Sequence, residues 1–197
     1  MLRIDLDILQ QWVPVAGRVL DLGCGDGVLL KSLMDNRQIE GYGLEIDADQ
    51  ITACITRGVN VIEKDINEGL ANFQNKSFDT VVMTYSLQVL RRPDLVIDEM
   101  LRVGKECIVT FPNFGNIRPR TYLMLRGRMP VTRQLSYQWY DTPNIHFCTV
   151  RDFETLCHEK GIKVLHRETV TQHNPDRHLC RLWPNMFAET AIYHLSN

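Results

Sequence analysis

At 197 residues, with 44% hydrophobic residues and a formal net charge of -2, the chain has the bulk of one compact domain, which at this length buries roughly 70% of its unfolded surface and needs no staple. Near-balanced charge excludes a nucleic-acid binder that works by overall basicity, so partners have to be argued locally. No apolar run approaches the roughly 20 residues of a membrane helix, and the charge-interrupted start Met1-Leu2-Arg3-Ile4-Asp5-Leu6-Asp7 reads as neither signal peptide nor anchor, so the expected location is cytoplasmic.

Ile4 to Trp12 carries apolar residues at near-helical spacing and predicts a short helix covering a sheet, ended by Pro14. Gly17 then releases a first strand, Val19-Leu20-Asp21-Leu22. It runs into Gly23-Cys24-Gly25-Asp26-Gly27 and on into a helix from Val28 to about Arg37. Glycines tolerate positive φ and let a ligand lie against backbone amides at the positive end of the following helix, so a nucleotide-like ligand is the natural occupant. The spacing is G-x-G-x-G rather than the dinucleotide G-x-G-x-x-G, with Asp21 embedded in the strand before it.

A second strand, Glu40 to Asp47, ends in acids. Glu45, with Ile46 beside it, lies roughly 20 residues beyond the glycine turn, where doubly wound folds place a carboxylate on the ribose hydroxyls. Asp47 reads as the N-cap of a helix from Ala48 to Arg57 and is left out of the site. Val59 to Ile62 is a third strand leading into Glu63-Lys64-Asp65-Ile66, and 67–77 is loop-like. Phe78 to Leu87 is a fourth strand, placed beside the first across the switch point, so that Thr84-Tyr85-Ser86 faces the site. A helix from Pro93 to Val103 and a fifth strand, Glu106 to Phe111, complete an alternation that specifies a parallel sheet with right-handed crossovers.

Residues 112–148 break that alternation. Arg118, Arg120, Arg126, Arg128 and Arg133 precede the first acid, Asp141, and are interleaved with Tyr122, Tyr137, Trp139 and Tyr140. This segment is the candidate cap over the substrate end. Arginines with aromatics suit an anionic substrate, RNA or a protein partner, and equally a solvated basic loop. A helix from Val150 to Lys160, N-capped near Thr149 and stopped by Gly161, precedes a strand at Ile162 to Glu168. A polar connection containing His173, Pro175, His178 and Pro184 leads to a last strand, Phe187 to Leu195. Two strands without a long helix between them suit an antiparallel pair at the edge. The expected fold is α/β: one domain over 1–197, with a doubly wound, mostly parallel seven-stranded sheet, an antiparallel edge strand and a 112–148 insertion. Six cysteines, Cys24, Cys54, Cys107, Cys148, Cys157 and Cys180, contain no C-x-x-C pair and read as reduced core residues; His146/Cys148 and Cys157/His158 follow no zinc spacing, so no metal site is expected.

The run Asp21-Leu22-Gly23-Cys24-Gly25-Asp26-Gly27 resembles motif I of the class I S-adenosylmethionine-dependent methyltransferases. That resemblance implies S-adenosyl-L-methionine or S-adenosyl-L-homocysteine as cofactor, its methionyl part wrapped by Asp21, Gly23, Cys24, Gly25 and Gly27. It implies Glu45 at the ribose, Ile46 among the cofactor-binding residues, Asp65 near the adenine amino group with Ile66 beside the ring, and a backbone carbonyl near Tyr85 for the cofactor ammonium. Many small-molecule members carry a histidine just after the fourth strand. This chain has Leu87-Gln88-Val89-Leu90 there, which leaves the catalytic residues unassigned and any base to be drawn from Tyr85, Tyr140 or His146.

Arg18 to Gly27, Tyr85 to Gln88, the Phe111-Pro112-Asn113-Phe114-Gly115 turn, the arginine-rich segment with Trp139 to His146, and Asn185-Met186-Phe187-Ala188-Glu189 together resemble the methionine biosynthesis protein MetW family. That resemblance implies association with a homoserine O-acyltransferase whose activity the protein supports. Two functions stand open on the sequence: a cofactor-binding partner of that enzyme, and a working methyltransferase acting on a small molecule by holding the acceptor within attack distance. RNA methylation ranks last, because it needs more basic surface than this charge provides.

Overall fold

The computed structural model describes residues 4–132, 136–171 and 177–197, so Arg133, His173 and Pro175 lie outside it. Seven strands form one sheet: β1 (Arg18–Leu22), β2 (Glu40–Glu45), β3 (Asn60–Glu63), β4 (Phe78–Thr84), β5 (Gly104–Pro112), β6 (Lys163–Val170) and β7 (Thr190–Ser196), in the order β3-β2-β1-β4-β5-β7-β6. The first five pair in parallel, and β7 runs antiparallel between β5 and the edge strand β6. The fold is the expected doubly wound α/β sheet with an antiparallel edge pair.

Strands buried on both faces read as apolar runs whose alternate residues serve opposite layers. Val19, Val82, Ile108 and Ile192 face one core, together with α1 (Ile4–Leu9) and α2 (Val28–Arg37). Leu20, Val81, Val109 and Tyr193 face the other, against α4 (Pro93–Val103) and α6 (Val150–Glu159). Local chemistry sets the boundaries. Asp47 caps α3 (Ala48–Thr56) by accepting from the Asp49 and Gln50 amides, Pro93 occupies the first turn of α4, and Thr149 with Asp152 forms a capping box on α6. β2 stops at Glu45, two residues before its expected end, because the Glu45 carboxylate turns back to accept from the Ile46 and Asp47 amides at 2.8 and 3.1 Å.

The connection before β7 is not the plain loop expected: it holds α7 (Arg177–Leu182) and α8 (Pro184–Phe187). Between β5 and α6 the insertion begins with α5 (Ile117–Arg126), which buries only Pro119. The six cysteines are free and packed, five of them buried. No helix among the described residues is long and apolar enough to cross a membrane.

Candidate functional site

At the C-terminal end of β1 the chain makes a tight turn in which Gly23, Gly25 and Gly27 all adopt positive φ, 72°, 55° and 74°. Space as well as φ requires glycine here: a Cβ on Gly23 would lie 2.6 Å from Ser86 Oγ, and one on Gly27 would lie 2.9 Å from Cys54 Sγ. Gly25 differs, since a Cβ there would meet nothing closer than Gln50 Oε1 at 3.9 Å, leaving its face open.

Three elements clamp the turn. The Leu44 carbonyl of β2 accepts from the Gly23 and Cys24 amides at 2.9 and 3.1 Å. From α3, Cys54 donates to the Gly25 carbonyl at 3.0 Å, and Arg57 pairs with Asp26 at 3.0 Å while its guanidinium also donates to the Asp26 carbonyl. Finally the Glu45 carboxylate, at the end of β2, accepts from the Gly25 amide at 2.8 Å. The amides expected to face a ligand are thus largely engaged within the chain, because the turn is short enough for β2 to reach them. What the turn presents outward is the half-exposed Glu45 carboxylate with exposed Ile46 next to it.

The other sequence-predicted residues fall as follows. Asp21 is buried at the end of β1. Cys24 turns its thiol inward, 3.7 Å from Cys54 Sγ and over Gly43, whose lack of a Cβ makes the room; burial pushes both thiols up from their ordinary range. Ile66 lies beside Gly23, its Cδ1 3.7 Å from where a Cβ would stand, and Asp65 caps the short 3₁₀ turn that carries Ile66. Tyr85 is held at φ 56°, a left-handed conformation uncommon for a bulky side chain. Its amide donates to the Thr110 carbonyl, and its hydroxyl hydrogen-bonds Thr190 on β7.

Two contacts of this site do not follow from the sequence, although it places Ser86 facing the site and Gln88 in the Tyr85 to Gln88 motif: Ser86 packs against Gly23, and Gln88 is buried beside Tyr85. The Gln88 side chain is buried, donates from Nε2 to the Tyr85 carbonyl at 2.7 Å, and leaves its Oε1 without a partner. Its own carbonyl accepts from the Ile145 and His146 amides at 2.8 and 3.0 Å, which fastens the end of the 112–148 segment beside β4. The three candidate bases do not converge. Tyr85 is committed to Thr190, His146 Nε2 sits 3.3 Å from the Arg91 carbonyl, and Tyr140 stands exposed with its ring edge-on to Trp139. No group of three or more His, Cys, Asp or Glu that could hold a metal ion occurs among the described residues.

The fold is shared with known proteins. A structure of an S-adenosylmethionine-dependent methyltransferase from Mesorhizobium loti superposes with a TM-score of 0.71, covering 97% of this chain and 96% of that one at 14% identity, a likeness of fold. A ubiquinone biosynthesis O-methyltransferase of Hahella chejuensis is 29% identical over 126 residues, which are 61% of this chain and 52% of that protein. The bifunctional methionine biosynthesis protein MetXA/MetW of Rhodopirellula baltica is 31% identical over all of this chain, which spans 33% of its length. The family model described as methionine biosynthesis protein MetW matches residues 3–195. With that match over nearly its whole length, on a methyltransferase-type fold, the chain belongs to the MetW family of methionine biosynthesis proteins.

Proposed function

We propose that this protein binds S-adenosylmethionine or S-adenosylhomocysteine and supports a homoserine O-acyltransferase as its protein partner. The observation that carries the reading is the Rhodopirellula protein, whose name joins MetXA and MetW in one polypeptide. We read its MetXA part as the acyltransferase. Fusion turns the meeting of two modules into an intramolecular event, which is useful where they act together.

The open Gly25 face and the half-exposed Glu45 carboxylate beside it support this reading. Asp21, Gly23, Cys24, Gly25 and Gly27 would hold the methionyl part, Glu45 and Ile46 the ribose, Asp65 and Ile66 the adenine, and the Tyr85 end of β4 the ammonium. When bound, the cofactor offers an electrophilic methyl on a sulfonium. The open face of Gly25 would admit close approach, and the Glu45 carboxylate would accept from the ribose hydroxyls through its remaining lone pairs. The scattered positions of Tyr85, Tyr140 and His146 weigh against a built-in base. A second reading, a methyltransferase acting on a small molecule, is favoured by the similarity to the Hahella enzyme, and it stands if the acceptor is already nucleophilic.

In the partner reading the 112–148 segment is the cap that docks, its arginines meeting acidic groups on the acyltransferase. Arg126 stacks over Tyr122, 5.2 Å from the ring centroid, and the Trp139 and Tyr140 rings are exposed. Reversing charge at Arg126 and Arg128 is expected to weaken the complex at least several-fold without unfolding the chain. Size-exclusion chromatography of the purified pair measures this, and an undiminished complex removes the docking role of those arginines.

A further inference from the structure

We propose that the open groove between α5, α6 and the α7–α8 pair receives an acidic segment of the protein partner flanked by apolar side chains. The identity of the partner rests on the acyltransferase reading; the groove itself is argued from its own residues, which are not those of the glycine turn.

Two sequence motifs far apart in the chain, Phe111 to Gly115 and Asn185 to Glu189, take no part in the cofactor site, and the fold ties them together. Buried Asn113 donates from Nδ2 to the carbonyls of Ala188, Asn185 and Pro184 at 2.9, 3.2 and 3.4 Å. Buried Asn116 donates to the carbonyls of Ala188 and Phe187 at 3.0 and 3.2 Å. Asn113 Oδ1 in turn accepts from the Gly115 and Val150 amides, and Asn185 Oδ1 accepts from the Arg151 amide at 3.2 Å, which joins the unit to the start of α6. Gly115 is needed for this closeness, since a Cβ there would lie 2.9 Å from both Asn185 oxygens.

The purpose of so many buried bonds is not to make a core. The four-residue helix α8 buries none of its side chains. Trp183 is 63% exposed, Leu182 70% and Met186 37%. A scaffold that fixes an apolar surface in water is accounted for when another surface covers it.

Those side chains line a cavity of about 580 Å³ together with Val150, Pro184 and Asn185, with Arg120 of α5 and Arg151 of α6 also in its lining. Neither guanidinium has an ion pair among the described residues. The lining carboxylate, Glu154, is already engaged by Arg167 at 2.5 Å and by the Tyr193 hydroxyl at 3.1 Å. The groove therefore offers two uncompensated cations beside an apolar wall of tryptophan, leucine and methionine. Arginine, tryptophan and methionine are enriched at protein interfaces, and a wall already held rigid loses little entropy on binding. A small carboxylate is the weaker occupant: pockets for small ligands enclose most of them, whereas here a partner has to bring enough surface to cover Trp183.

The test titrates the full-length protein, wild type, Trp183→Ala and the double variant Arg120→Glu/Arg151→Glu, against the acyltransferase of the same organism by calorimetry at low and moderate salt. Each variant is expected to bind about tenfold or more weakly, with the charge variant also losing the salt dependence of the wild type, while S-adenosylmethionine affinity and far-ultraviolet circular dichroism stay unchanged. A photo-crosslinker at position 183 is expected to label an acyltransferase peptide in which an acid sits among apolar residues. Wild-type affinity in both variants overturns the groove and leaves the acyltransferase reading standing. Absence of any wild-type complex overturns the groove's occupant together with that reading, and a cross-linked peptide without an acid overturns its charge complementarity.

Discussion

Glu45 has a structural duty and a proposed one. Its oxygens accept from the amides of Gly25, Ile46 and Asp47, so it shapes the end of β2 and holds the glycine turn, and the ribose is the contact we propose for it. Glu45→Ala is expected to weaken S-adenosylmethionine binding by about 1.5–3 kcal/mol through lost charged hydrogen bonds, read by calorimetry; unchanged affinity would remove Glu45 from the ribose role. Its position was legible from chain distance to the glycines. The placement of Ser86 was legible from its strand, but not the packing of Ser86 on Gly23 or the buried bond of Gln88, because a neutral polar side chain just past a strand has no periodicity to betray its partners. A different residue is expected to contribute to acid sensitivity. His194 is buried in β7, stacked on Trp12 and His166, with Nε2 2.8 Å from Glu106 Oε2 and Nδ1 unpartnered. Burial lowers its pKa, the Glu106 contact opposing and His166 adding to the shift. The unfolded chain therefore takes up this proton first as pH falls through about 6.5, and stability declines from there until the lower folded value is passed. The urea midpoint is expected to drop between pH 7.5 and 5.5, and to drop less in His194→Gln; equal drops would assign the slope elsewhere.

Elements differ in how plainly they announce themselves. β1, β4, β5 and β7 are apolar runs whose alternate residues fill two cores, a pattern visible in the letters, and α3, α4 and α6 begin at a cap or a proline that marks them. α7 and α8 are six and four residues long, with Pro184 opening the second. In sequence that is indistinguishable from a proline-rich loop, because proline fits both a turn and a first helical position. What holds α8 is not its own pattern but Asn113 and Asn116, about 70 residues earlier. Asn113→Ala is expected to cost about 1–3 kcal/mol by leaving buried carbonyls unpaired, and to speed hydrogen exchange at Phe187 and Ala188. Unaltered protection at those amides would show that α8 is held by other contacts.

Across the molecule, the parallel half of the sheet carries the glycine turn, and the antiparallel half carries the asparagine-locked unit. Gln88, just past β4, joins Tyr85 to the Ile145–His146 backbone at the end of the 112–148 segment. The glycine-turn end was readable because its positive-φ glycines and the Glu45 bond to the Gly25 amide are required by backbone geometry and hydrogen bonding. The groove was not, since it forms only when residues 113, 120, 151 and 183–186 are folded together. The most direct test of the partner account is the rate of acyl transfer to homoserine by the acyltransferase of the same organism, measured with and without this protein, each with and without S-adenosylmethionine. The account predicts a faster rate when the protein is present and no methylated product; an unchanged rate under all conditions would contradict it and return the weight to methyl transfer.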